Sequence, residues 1–313
     1  MTSAAERGPA QPTTAVGELY DQIGQFVELT LGGSLHYGYW RDENDPASMT
    51  EASERMTDLM VDKLGLRPGD RILDVGCGNG RPALRLASTA DVSVLGVNIA
   101  PGQVASANES AKSAGLADRV RFAVADAGDL RLEPGTFHGA WLFESLLHMP
   151  DEHAVLRGIG AALKPGGRLV ISNLVLLAPL TDERAEQLRP LWQTFQIASV
   201  LPLADYPAML AKYGFTTTEV LDVTAHSVER TMQAILGAQA ALRRQMSSTL
   251  DGLEASQDRF AEFAPDQSTD LALVTRLANA AEIGYAIVVA IKGPDDASAA
   301  PAAPLTEEKE PAR

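Results

Sequence analysis

Cysteine is nearly absent, with one in 313 residues. A single thiol excludes an intramolecular disulfide and agrees with a cytoplasmic enzyme. Long hydrophobic runs are missing as well: the apolar stretches are strand-sized and broken by polar residues, so no transmembrane span is expected. The opening MTSAAERGPAQPTT lacks the apolar centre of a signal peptide. Positive charge is scarce, with 26 Lys and Arg against 41 Asp and Glu, a formal net charge of −15. Nucleic-acid binding needs concentrated Lys and Arg, so that balance argues against it, and it disfavours docking on an anionic membrane. No internal repeat is present. The five histidines are scattered and the cysteine sits inside a glycine turn, so no metal site is expected.

The most informative stretch is residues 71–87, RILDVGCGNGRPALRLA. An apolar run (Ile72, Leu73, Val75) enters a turn containing Gly76, Gly78 and Gly80, and a helical pattern follows at once. This is how a buried parallel strand passes into a helix over a bound small molecule. Glycine accepts positive φ and leaves no Cβ between main chain and ligand. The spacing G-x-G-x-G differs from the dinucleotide fingerprint G-x-G-x-x-G. Further apolar runs occur at 92–100, 120–130, 137–149 and 163–175, the last entered through Pro165-Gly166-Gly167. Strands alternating with helices imply a parallel sheet with helices on both faces.

The segment LDVGCGNG resembles motif I of the class I S-adenosylmethionine (SAM) dependent methyltransferases, and the later segments resemble that family's series in order, from about residue 20 to 292. The resemblance implies an α/β, Rossmann-like seven-stranded sheet, mostly parallel with the last strand antiparallel, with helices on both faces and a helical lid. Four regions follow: a tail over 1–14, entrance helices and the SAM-binding core over 15–176, a lid and acceptor region with the last two strands over 177–292, and an acidic tail over 293–313. Both tails are expected to be disordered. Helices are expected over 15–31, 181–198, 204–213, 228–246, 250–264 and 268–280, with strands at 215–223 and 283–292. Met209, Met232, Trp192, Phe195 and Phe260 are read as lid apolars belonging to core rather than pocket.

The same resemblance assigns SAM, or its demethylated product S-adenosylhomocysteine, to named residues. Asp74 would serve the methionine ammonium. Gly76, Gly78 and Gly80 would let the methionine portion approach, with Cys77 offering a backbone contact and not a nucleophile. Asn98 stands where relatives place an acid on the ribose, and an amide can make the same hydrogen bonds; Ile99 and Gln103 flank the adenosine. Asp126 and Ala127 would meet the adenine, and Phe143 the methyl donor. Tyr20, Tyr37 or Trp40 would lend cation–π attraction to the sulfonium; stapling a helix to the sheet is the plainer role for these rings.

Resembling sugar O-methyltransferases carry two adjacent histidines after the fourth strand and an aspartate in the fifth. Here Leu147 precedes His148, and Asn173 replaces the aspartate. His148 and Glu144 are the catalytic candidates, and His148 also borders the cofactor. The resemblance implies methyl transfer to oxygen or carbon of a small hydrophobic metabolite such as a polyketide or glycoside; the alternative is a methyltransferase-fold polyketide cyclase that binds SAM without methyl transfer, and a non-catalytic SAM-binding module is the remaining reading. An amphipathic lid helix is available to a homodimer.

Overall fold

The computed structural model describes residues 36–250 and 280–294. Tyr20, Phe260, the helix expected over 15–31, those expected over most of 250–280, and the tails up to 14 and from 295 lie outside the described residues.

Seven strands form one sheet: β1 (Asp70–Val75), β2 (Val92–Asn98), β3 (Val120–Val124), β4 (Phe137–Phe143), β5 (Leu163–Leu176), β6 (Phe215–Asp222) and β7 (Ile283–Lys292). Their order is β3-β2-β1-β4-β5-β7-β6. The first five pair in parallel, and β7 runs antiparallel to both β5 and β6, as the sequence led us to expect. Successive strand residues face opposite sides, and two cores follow. Ile72, Trp141, Val170 and Ile287 belong to one; Leu73, Ala140, Ile171 and Val288 belong to the other. Each fully buried Leu or Ile contributes about 1.5–3 kcal/mol through removal from water.

Helices cover both faces. α1 (Met49–Leu64), α2 (Arg81–Thr89), α3 (Pro101–Ser113), α5 (Asp182–Thr194) and α7 (Val228–Leu250) send Met56, Leu86, Val104, Leu188 and Met232 into the first core. α4 (Glu152–Ala162) and α6 (Tyr206–Ala211) send Leu156 and Leu210 into the second. α1 starts at a capping box: Ser48 Oγ accepts from the Glu51 N–H and Glu51 accepts from the Ser48 N–H, reciprocally satisfying two otherwise orphan donors. It stops at Gly65, which is left-handed.

Three elements depart from the pattern. The Pro-Gly-Gly turn lies inside β5, where the pairing with β4 slips between Phe137 and Gly139. The expected 181–198 helix stops after Thr194 because Gln196 turns left-handed. The fourth strand ends at Phe143 rather than running on. Of the lid apolars, Trp192, Met209 and Met232 are buried, but Phe195 is 41% exposed.

Candidate functional site

The chain winds outward through β1, β2 and β3 in one direction and through β4 and β5 in the other, so β1 and β4 flank the reversal. Ligands on such sheets bind beyond the carboxyl ends of the strands at that reversal. β1 ends there in the glycine turn and β4 in the segment 144–149.

The three glycines of the turn are all left-handed, at φ +80°, +53° and +77° for Gly76, Gly78 and Gly80, and they do different work. A Cβ on Gly76 would lie 2.3 Å from the Ser145 Cβ, and one on Gly80 would lie 2.4 Å from the Phe122 ring. A Cβ on Gly78 would meet nothing within 4 Å. Protein therefore packs where a side chain on Gly76 or Gly80 would stand. Gly78 is the one that faces open space. Cys77 is buried, its Sγ lies on the Gly78 carbonyl, and burial pushes the thiol well up, which leaves no reactive thiolate.

Asp74 is buried, and its Oδ2 has no hydrogen-bond partner among the described residues. Burial raises its carboxyl to about 7, offset in part by the Trp141 indole N–H directed at it. A buried carboxylate oxygen without a donor is a group that a cationic donor would satisfy.

At the end of β4, Glu144 adopts φ +52°, rare for a residue with a Cβ. The twist returns its side chain to the face carrying Tyr37 and Tyr285. Glu144 Oε1 accepts from the Tyr37 N–H (2.7 Å) and from the Tyr285 hydroxyl (2.6 Å). Those two rings stack at 4.8 Å. Burial raises the carboxyl to about 8 against the pull of the two donors. Next in sequence, Ser145 Oγ donates to the Val75 carbonyl (2.6 Å). That bond, seated in the space Gly76 leaves, locks the glycine turn to the catalytic candidates.

His148 Nδ1 lies 3.0 Å from the Gln196 carbonyl. A carbonyl only accepts, so Nδ1 carries the proton and Nε2 the lone pair. Burial lowers the imidazole to about 4, despite that bond, and keeps it neutral at ordinary pH. Gln196 is itself left-handed at φ +51°. Its loop is pinned by the Ala198 and Ser199 N–H groups, both donating to the Leu147 carbonyl. His36 stacks on Phe143 with ring centroids 4.0 Å apart, and burial lowers it to about 4.

The other expected residues divide. Asn98 donates to Gln103 Oε1 and accepts from the Ile99 N–H, which sets three of the assigned residues side by side at the end of β2. Asp126 caps the turn containing Ala127 by accepting from the Gly128 N–H. Trp40 is packed away: its indole donates to the Ala47 carbonyl, the Arg230 guanidinium covers the ring at 4.9 Å, and the residue is 2% exposed. Asn173 is buried, donates to the Tyr206 hydroxyl, and so faces the second core, across the sheet from Tyr285. Sequence reasoning missed His36, Ser145, Gln196 and Tyr285. Ser145 and His36 carried a signal, since each stands beside an expected site residue, Glu144 and Tyr37.

A family model described as a methyltransferase domain matches residues 72–167. The chain is 35% identical over 262 residues to 27-O-demethylrifamycin SV methyltransferase of Amycolatopsis mediterranei, covering 83% of this chain and 95% of that protein. It is 36% identical over 209 residues to methyltransferase GfsG of Streptomyces halstedii, covering 67% and 75%. Among solved structures it is similar to the cyclase SpnF, with a TM-score of 0.74, 28% identity and coverage of 92% and 100%.

Proposed function

This chain belongs to the SAM-dependent methyltransferases, and from that premise we propose that it methylates a hydroxyl of a small hydrophobic metabolite, of the polyketide or glycoside kind. The single observation that carries the reading is the Ser145–Val75 bond, which fixes the open glycine and the acid–base residues in one rigid seam. Relatives named as O-methyltransferases support oxygen as the acceptor.

The residues fit the cofactor. Asp74 would hold its ammonium, Gly78 would give it room, Asn98 and Gln103 would take the ribose, and Asp126 with Ala127 the adenine. Phe143 and Tyr37 would border the sulfonium. When bound, SAM supplies an electrophilic methyl group on a positively charged sulfur. His148 Nε2 accepts the hydroxyl hydrogen and directs the oxygen lone pair, and its proton affinity is modest because the ring is buried. Glu144 supplies the negative charge. His36 stacks over Phe143, and the 195–199 loop supplies the carbonyl that orients His148. Holding donor and acceptor in line lowers the barrier to displacement by paying the orientation entropy in advance.

A second reading rests on the SpnF likeness and on Asn173 facing away from the acid–base residues: a cyclase that shapes a flexible polyene without moving a methyl group. Incubation with methyl-labelled SAM and a hydroxylated candidate metabolite separates the two. Label in the product is expected; an unlabelled isomer of unchanged mass would establish cyclisation instead.

A further inference from the structure

Glu144 is a carboxylate set among groups that bring no positive charge. Its titratable neighbours are Tyr37 from the entrance segment and Tyr285 from β7, with His36 on the Phe143 ring and His148 four residues on. Burial keeps both imidazoles neutral. Among the described residues, no Lys or Arg pairs with it. Two donors converge on Oε1, while Oε2 receives no hydrogen bond from the described residues, and the side chain is partly exposed. The backbone holds a left-handed turn at a residue with a Cβ to aim it so, and strain of that kind persists only where surrounding structure imposes it.

We propose that Glu144 is the charge-balancing proton carrier of the site, ionised while a sulfonium-bearing donor is bound and protonated when that positive charge is gone. The inference rests on the methyl-donor reading above and deepens it. Without a cation nearby, burial favours the neutral acid, and its carboxyl is pushed up to about 8. A sulfonium alongside favours the carboxylate, so donor binding releases the Glu144 proton to solvent. In the transfer, the S–CH3 bond breaks with its electron pair going to sulfur, the new O–CH3 bond forms, and the acceptor's O–H proton passes to His148. The sulfur is then neutral, the carboxylate is left without its counter-charge, and that proton restores Glu144. One proton leaves per turnover, and the site is never left with an uncompensated charge.

Linkage makes this measurable without turnover. Titration calorimetry of the full chain at pH 7, in buffers of different ionisation enthalpy, counts protons released by SAM and by S-adenosylhomocysteine. Asp74 faces the amino end that both ligands share, so its proton cancels in the difference. We expect SAM to release about one proton more than S-adenosylhomocysteine, since a group titrating near 8 is mostly protonated at pH 7. Glu144→Gln keeps an oxygen acceptor for Tyr37 and Tyr285 and is expected to abolish the difference. Tyr285→Phe removes one donor to the carboxylate and is expected to move the release to higher pH. Equal release by both ligands, or a difference that survives in Glu144→Gln, would overturn the assignment while leaving the methyltransferase reading intact. If neither ligand binds, the donor reading falls and this inference with it.

Discussion

Gly78 and Gly80 are two residues apart and both left-handed, yet they differ in what a methyl group would meet. Alanine at Gly78 costs roughly 1–2 kcal/mol of backbone strain and projects into the space assigned to the donor. Alanine at Gly80 adds a collision with the buried Phe122 ring, worth about 1–3 kcal/mol more. Gly78→Ala is thus expected to melt close to the parent and lose SAM affinity by tenfold or more. Gly80→Ala is expected to melt well below Gly78→Ala, with affinity tracking the folded fraction. Thermal melts alongside SAM titration decide it, and loss of affinity in Gly80→Ala at full stability would reverse the assignment. The residue scale also shows what local pattern could not carry. The glycines announced themselves by spacing, but Trp40 lies under Arg230, 190 positions away, and no periodicity encodes that pairing.

At the scale of elements, strand existence was legible because buried parallel strands are continuous apolar runs, and the runs ending at Val75 and Asn98 stop where acid, amide or glycine begins. The ends of β4 and α5 were not legible. Both stop at non-glycine residues in the left-handed region, Glu144 and Gln196, and nothing in either side chain forecasts that conformation. One stop brings a carboxylate to Tyr37 and Tyr285, and the other brings a carbonyl to His148. The α5 stop can be tested through its φ. Valine, branched at Cβ, resists the left-handed region, whereas asparagine tolerates it. Gln196→Val is expected to lower kcat about tenfold or more with KM for SAM little changed, and Gln196→Asn to retain most activity. If both variants behave alike, the Gln196 carbonyl does not orient His148.

For the whole molecule, four desolvated groups, one buried and three half-buried, set how stability responds to pH. Asp74 and Glu144 titrate near 7 and 8 in the folded chain, above their ordinary values, while His36 and His148 titrate near 4, below theirs. Between about pH 4 and 6.5 the unfolded chain binds protons on the histidines and has shed those of the two carboxylates, and the contributions oppose each other. From about 6.5 to 8 only the carboxylates differ, with the folded chain holding more protons, so stability falls as pH rises. Asp45 and Glu51, whose carboxyls are lowered by hydrogen bonds from Arg41 and Ser48, act below that window. Melting temperatures without ligand are expected to drop between pH 6.5 and 8, and saturating SAM should flatten the drop by ionising both carboxylates. A ligand-free curve that rises across that interval would refute the burial of these acids. The sheet order has a consequence for synthesis. β7 inserts between β5 and β6 yet follows every other described strand, and the Tyr285 hydroxyl reaches Glu144 across 141 positions of sequence. A chain emerging from the ribosome folds its earlier part first, so β1 to β5 can assemble with the slot for β7 still open. Until that strand arrives, the carboxylate lacks its hydroxyl partner and β5 offers a bare edge for mispairing. A growing chain can therefore be folded enough to cradle a nucleoside long before it is competent to manage the nucleoside's charge.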